Sequence, residues 1–360
     1  MKSIDKNPNS NNNDEKFLRE PVLIQQETEE DIVLNLSLRP IKFADFIGQD
    51  KLKENLMIGI EAAKARQEPL EHIICSGPPG LGKTTLAHIV AHEMGTKITT
   101  TSGPAIERAG DLIGILTNLE QGDILFIDEI HRLSKVVEEF LYPAMEDYKI
   151  DFVIDKGPYA KTIQFNLKPF TLIGATTRSG LLTAALRSRF GMSYHLDFYP
   201  WQELVNIVKK SADMLGMPID QESAVLIAKR SRGTPRVANR LLRRVRDYCQ
   251  VKAKGKLSPD LTDAALNLQG IDNLGLDDID RRVLSVLIDT YDGGPVGIES
   301  LAATLNEEND TIVDVVEPYL LKMGLLKRSP RGRQATQLAY QHLGRNRVKA
   351  EQKDIFSDEE

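Results

Sequence analysis

The sequence predicts an α/β unit built on a parallel sheet, then a small all-helical unit, then a winged helix. Three observations predict this order. Short apolar runs alternate with helical patterns up to residue 198; the periodicity after Pro200 is helical throughout; and the last stretch reads as three helices followed by a basic ribbon. At 360 residues the chain exceeds what one small core organises and suits two or three units.

Residues 1–30, with NPNSNNNDEK and QQETEED, are polar and aperiodic and read as a disordered leader. In residues 31–198, HIICSG, DILFID, FTLIGAT and MSYHLDF read as buried strands bounded by glycine or charge, the mark of a parallel sheet. Within that unit, KIDFVIDKGPYAKTIQFNL (149–167) places two alternating runs around DKGP and reads as a β-hairpin projecting from the sheet. Its apolar residues Phe152, Ile154, Tyr159, Ile163 and Phe165 suit either core or an exposed docking face. Residues 199–272 hold WQELVNIVKKSADMLG, DQESAVLIAKRSRG and TPRVANRLLRRVRDYCQVKAKG, with Gly216, Gly233 and Gly255 where helices stop. Residues 273–345 give three further helices and a ribbon with Pro-Arg-Gly at its tip, a winged helix-turn-helix. Residues 346–360 form a polar tail.

Chemistry enters at GPPGLGKTT (77–85), which fits G-x-x-x-x-G-K-[ST] between the strand HIICS and the helix TTLAHIVAHEMG. Gly77, Gly80 and Gly82 free backbone amides to face phosphates, Lys83 reaches the outer phosphate oxygens, and the Thr84 hydroxyl suits Mg²⁺. DILFIDEIH then ends an apolar strand in Asp128 and Glu129: the first suits Mg²⁺ through water, the second the orientation and deprotonation of an attacking water. That pair points to hydrolysis beyond simple nucleotide binding. Thr176 or Thr177, at the end of FTLIGATTR, suits contact with the terminal phosphate. Arg187 and Arg189 in LRSRFG are candidates for an arginine finger supplied to another subunit, and Arg236 in GTPR opens a helix of the second unit from which it could reach back to the phosphates.

The formal net charge of -6 excludes a surface that coats nucleic acid everywhere, because phosphate binding rests on lysine and arginine. Yet from Lys322 to Lys349 no Asp or Glu interrupts the cations, so Lys327, Arg328, Arg331 and Arg333 predict a local positive field on the wing. Arginines at a ribbon tip can hold phosphates or a minor groove without reading sequence. Cys75 and Cys249 lack ligand spacing and read as buried reduced thiols. No apolar run approaches the ~20 residues of a spanning helix and no signal pattern opens the chain, so a cytoplasmic protein is expected.

Taken in order and spacing, GPPGLGKT, LFIDEIH, GATTR, LRSRFG and GTPR resemble the AAA+ ATPases. LRPIKFADFIGQD, EDYKIDFVIDKGP, FTLIGATTRSGLLTAALRSRFG and RSPRGRQAT narrow the resemblance, over about residues 34–345, to the RuvB family of Holliday-junction branch-migration motors. The resemblance implies an AAA+ P-loop sheet domain, a helical lid and a C-terminal winged-helix domain. It implies ATP and Mg²⁺ held by Gly80, Gly82, Lys83, Thr84, Thr85 and Asp128, with Leu38, Arg39, Phe46 and Ile47 on the adenine side. Asp128 and Glu129 would be the Walker B pair, Thr177 or its neighbour Thr176 the first sensor, Arg189 the finger in trans and Arg236 the second sensor. Tyr199, with Glu146, Asp147 and Tyr148, would sit near the nucleotide. It further implies a homohexameric ring on double-stranded DNA, DNA-dependent ATP hydrolysis, and branch migration of four-way junctions in recombination and repair. The 149–167 hairpin would dock RuvA, with the resolvase RuvC in the larger complex. Rival readings are an ATP-switched DNA-binding scaffold of the clamp-loader or initiator type and a sequence-reading transcriptional regulator; neither gives the apolar hairpin a purpose.

Overall fold

The computed structural model describes residues 38–154 and 161–346, with the side chains of 152–163 outside the description. The leader, the tail beyond residue 346 and Tyr159 therefore lie outside the described residues, as do the side chains of Phe152, Ile154 and Ile163.

Five strands form one parallel sheet: β1 (Ile73–Ser76), β2 (Ile98–Ser102), β3 (Ile124–Asp128), β6 (Thr171–Thr176) and β7 (Met192–His195), in the order β2-β3-β6-β1-β7. Strands β1, β3 and β6 are apolar runs because helices cover both faces, and Ile73, Leu125, Phe126, Ile127, Leu172 and Ile173 are buried. Phe126→Ala would open a cavity at the centre of this sheet, costing about 3–5 kcal/mol. The sequence pattern misses β2 because ITTTS is an edge strand with largely exposed threonines and no apolar run. The register pairs Ser76 with Thr176 and Ile127 with Gly174. The carboxyl ends of β1, β3 and β6 therefore align at one edge of the sheet, the place where such sheets bind ligands. The hairpin β4 (Lys149–Ile154) and β5 (Lys161–Asn166) pairs antiparallel as a separate two-stranded sheet. Ile150 at its base is buried whereas Phe165 is half exposed, so the apolar residues that can be described divide between core and surface.

The lid consists of α1 (Trp201–Met214), α2 (Gln221–Lys229), α3 (Pro235–Ala253) and α4 (Pro259–Leu268). Thr234, Asp220 and Ser258 cap three of these helices by accepting backbone N–H bonds, and Pro235 and Pro259 occupy first turns where a missing N–H costs nothing. The helix α4 goes beyond the three helical segments read from the sequence. Leu204, Val208, Ile227, Leu241 and Val245 of the lid join the same apolar cluster as Leu56, Leu86 and Phe126 of the sheet unit.

The winged unit keeps its own core around Leu284, Leu287, Leu301, Val316, Leu320 and Leu326. Its helices are Asp278–Ser285, continued by a π-helical turn at Val286–Thr290; Ile298–Leu305; and a third over 309–322 that contains a π-helical turn at Ile312–Val316. The ribbon β8 (Leu326–Ser329) and β9 (Gly332–Ala335) follows, then a short helix Gln337–His342 that the sequence reading folded into the ribbon segment. Cys75 and Cys249 are free and buried. Among the described residues, no helix is long and apolar enough to cross a membrane.

Candidate active site

A cleft of about 720 Å³ opens where the sheet edge meets the lid. Leu38, Arg39, Phe46 and Ile47 line one side, Gly80, Gly82, Lys83, Thr84 and Thr85 the floor, Asp128, Glu129 and Thr177 the far wall, and Tyr199 and Arg236 the lid side. Residues separated by some two hundred positions in the chain thus meet in one cavity. The sequence reading missed its lid contributions from Ile207, Lys210, Met214 and Asn239. These lie on inner faces of lid helices, and only docking of the lid makes them part of the cleft.

The loop after β1 turns through Gly82, whose backbone is left-handed (φ 99°) and whose absent Cβ would lie 3.3 Å from the Phe46 ring. Helix Lys83–Met94 starts there, so its unpaired amides point into the cleft and favour an anion. Lys83 is buried, and its Nζ donates to the carbonyls of Gly77 at 2.8 Å and Pro78 at 2.9 Å. Burial lowers its pKa, while Asp128, Cys75 and Glu129 pull it back up.

Asp128 ends β3, and one of its carboxylate oxygens accepts the Glu129 N–H at 2.9 Å. Glu129 itself sits in the left-handed region (φ 47°). Such a conformation in a non-glycine residue costs of order 1 kcal/mol, and here it turns the chain so that both carboxylates face the same cleft. Hydroxyl and carboxylate oxygens from Thr84 and Asp128 form a hard donor set that fits Mg²⁺ beside phosphates.

The two threonines after β6 separate cleanly. Thr176 is fully buried; its Oγ1 accepts the Arg178 N–H at 3.0 Å and lies 2.9 Å from His131 Nδ1. Thr177 lines the cleft, and its buried Oγ1 has no hydrogen-bond partner among the described residues. An orphaned hydroxyl facing a phosphate-sized space is the better candidate for the phosphate sensor. Tyr199 is buried with its phenol pKa pushed up by desolvation, and its N–H donates to Gly233 O at 2.9 Å. Arg236 follows in helix α3; its backbone N lies 3.4 Å from Gly80 O, so lid and phosphate loop touch directly.

Outside the cleft, the predicted residues take positions that the sequence left open or, on the wing, misread. Glu146, Asp147 and Tyr148 do not line the cleft of their own subunit. Glu146 instead pairs with Arg189 at 3.1 Å, and Tyr148 stacks edge-on against Phe170. Arg189, expected to serve another subunit, lies away from its own cleft, its guanidinium 4.2 Å above the Tyr142 ring, and Arg187 donates to Ser179 O at 2.5 Å. The cations of the wing segment are opposed in space although not along the chain. Glu317, fully buried, pairs with both Arg328 and Arg333, and Asp289 pairs with Arg345 at 3.1 Å. Arg333 therefore lies one pair in from the tip, opposite Arg328, with its guanidinium held by Glu317 and turned away from the tip. Lys322 also leaves the basic patch, placing its ammonium 4.3 Å over the Phe198 ring at the junction with the sheet unit. Arg331 keeps the tip, exposed and without an ion pair among the described residues, and Lys327 is exposed beside it.

Comparison with known proteins agrees with this architecture along nearly the whole described chain. Residues 38–196 match the family described as the Holliday junction DNA helicase RuvB P-loop domain, residues 199–272 the RuvB AAA lid domain, and residues 273–344 the RuvB C-terminal winged helix domain. The chain belongs to the RuvB family. A Holliday junction branch migration complex subunit RuvB from Desulfosudis oleivorans is 58% identical over 321 residues, covering 89% of this chain and 94% of that protein. The solved Thermotoga maritima RuvB Holliday junction branch migration motor superposes with a TM-score of 0.80 at 50% identity, covering 86% of this chain and 99% of that one. One of its mutants gives a TM-score of 0.81 with the same coverage. This RuvB-family chain is thus a branch-migration motor subunit with a P-loop ATPase domain, and the P-loop of that domain forms the floor of the cleft described above.

Proposed function

We propose that this motor hydrolyses ATP with Mg²⁺ at a site that two neighbouring subunits of a homohexameric ring complete. The observation that carries the reading is the position of Arg189: outside its own cleft, yet on the same unit as a cleft that already holds every other group hydrolysis needs. The backbone amides around Gly80 and Gly82 and the ammonium of Lys83 hold the phosphates. Thr84 and Asp128 would hold Mg²⁺, which supplies charge neutralisation at the outer phosphates. Glu129 accepts a proton from the attacking water, and the Thr177 hydroxyl fixes the terminal phosphate against it. Arg189 of the adjacent subunit then stabilises charge on the transferring group, with Glu146, Asp147 and Tyr148 lying on the same presenting edge. Arg236 carries the nucleotide state into the lid.

The winged unit supplies the grip on double-stranded DNA through Arg331 at the wing tip, with Lys327 beside it and Arg328 at the edge of the ribbon. The 149–167 hairpin docks RuvA, which brings the ring to a four-way junction, and RuvC acts in the same complex. These contacts belong in the cytoplasm.

Mixing two inactive variants tests the shared site. Lys83→Ala and Arg189→Ala proteins are each expected to turn over no ATP, while their mixture recovers hydrolysis and strand displacement on a synthetic four-way junction. In mixed rings, an intact Lys83 from one subunit meets an intact Arg189 from the next. A mixture as inactive as its parts would refute sharing. Arg331→Ala is expected to weaken binding to all duplex sequences alike and to lower the salt slope by about 1.

A further inference from the structure

Immediately behind the catalytic wall, a chain of polar contacts runs out of the ATPase domain and into the winged unit. It starts at Glu129, whose carboxylate lies 3.4 Å from Arg132 Nε. Arg132 extends its other end, Nη2, to Asp310 Oδ2 at 2.7 Å. Asp310 also takes Arg178 Nη2 at 2.8 Å through its second oxygen. Arg178 in turn grips Asp314 with two parallel bonds, Nε at 2.6 Å and Nη2 at 2.8 Å. Arg178 is the residue after the sensor Thr177, and its N–H donates to Thr176, which is joined to His131. Both arginines therefore sit one step from groups that face the terminal phosphate, and neither lines the cleft.

The acceptors lie on the third helix of the winged unit, the element that faces the major groove in the usual helix-turn-helix arrangement. Here its first turns carry carboxylates, which repel phosphate, and they are already held by two arginines of the sheet unit. Asp314 falls inside the π-helical turn Ile312–Val316, an irregularity common where a helix serves a function. DNA is left to the wing.

We propose that Asp310 and Asp314 are positioning residues for hydrolysis: by holding Arg132 and Arg178 they keep the Arg132 guanidinium from closing on the Glu129 carboxylate. The inference rests on the reading of Glu129 as the group that accepts the water's proton. An arginine fork closed on both oxygens of a carboxylate occupies the lone pairs that must face the attacking water, so the carboxylate can no longer orient that water or take its proton. In the docked arrangement Asp310 holds Arg132 at 2.7 Å against 3.4 Å to Glu129, so the competition favours the winged unit. When the winged unit moves away with its DNA, Arg132 keeps only Glu129 as a partner and hydrolysis slows. Force on DNA is thereby reported to the water-activating group without any change in nucleotide binding.

The test compares ATP turnover by the full chain with duplex DNA in four forms: wild type, the Asp310→Asn/Asp314→Asn pair, Arg132→Gln, and all three changes together. The carboxamide pair is expected to lower kcat about tenfold, a fraction of what loss of a general base costs, while KM stays within about twofold. Adding Arg132→Gln to that pair is expected to restore kcat. A pair of carboxamides with undiminished kcat, or a triple variant as slow as the double, overturns the proposal, since a merely structural contact would not be rescued by deleting its partner. If the carboxamide pair does not fold, salt supplies the second measurement. Raising salt from roughly 0.1 to 0.5 M, which screens half-exposed pairs, should lower kcat of the wild type more than that of Arg132→Gln; equal responses overturn the proposal. Glu129→Gln serves as the control on the underlying reading. Near-normal turnover in that variant would refute the role of Glu129 itself, whatever the other variants do.

Discussion

The winged unit is joined to the rest of the molecule by two arginine junctions of opposite construction. At the lid, Arg232 is buried, its guanidinium 3.2 Å from Asp277, 3.0 Å from Asp280, bonded to Val315 O at 2.9 Å and 5.1 Å over the Tyr319 ring. At the sheet unit, Arg132 and Asp310 are 40% and 49% exposed, and Arg178 and Asp314 only 24% and 16%. A charge buried among fixed partners has no water to fall back on when the partners leave, so the lid junction is rigid. The half-exposed Arg132–Asp310 pair can exchange for water at small cost and is screened by salt, so the sheet junction is the more labile of the two. Of its two contacts, the winged unit is thus held more firmly to the lid than to the sheet unit. Arg232 lies four residues before Arg236, which places the firmer joint next to the lid arginine that lines the cleft.

Breaking the rigid joint should have the largest effect. Arg232→Ala strips a buried partner from the Asp277 and Asp280 side chains and is expected to destabilise the lid and winged unit by about 3 kcal/mol, read from the urea midpoint of their unfolding. A variant as stable as the wild type would show that the apolar cores alone hold this junction. Next comes Asp314→Asn, which removes the fork to Arg178 and should cost about 1 kcal/mol or less, given the partial exposure. Hydrogen exchange over 309–322 is expected to speed up in that variant, and to respond to salt far more than exchange over 278–290. Equal salt response in both segments would erase the contrast between the junctions.

A third test of the rigid joint concerns pH. Burial pushes the Asp280 carboxyl from 3.8 up to about 8, with Asp277 adding to the shift and Arg232 opposing it. Between those two values the folded chain holds a proton that the unfolded chain releases, so stability falls as pH rises from about 4 to about 8. Asp280→Asn should flatten that decline in the thermal midpoint. An unchanged slope would mean that Asp280 stays ionised against Arg232 throughout.

Most of the nucleotide cleft was legible because its parts are local. The phosphate loop is one unbroken run between a strand and a helix, and Asp128 and Glu129 directly end an apolar strand. Backbone amides and strand ends follow from that order with no need of distant partners. Thr176 and Thr177 were indistinguishable along the chain, since both end the same strand. The alternation of a strand sends one side chain inward to His131 and the other into the cleft, and only the pairing with β1 and β3 sets which is which. Glu146 to Tyr148 lie away from their own cleft for a similar reason: the helix that ends there turns them to the edge that carries Arg189.

Residue order by itself determined the three units, the phosphate loop, the paired carboxylates that end β3 and the presence of a basic wing, because each depends on neighbours within a few positions. Tertiary structure decided which cations of the wing pair with a carboxylate and which carboxylates join one unit to the next. Charges act through space, and Glu317 lies between Arg328 and Arg333, while Asp310 reaches Arg132 across 178 positions of chain. No pattern read along the sequence contains those distances.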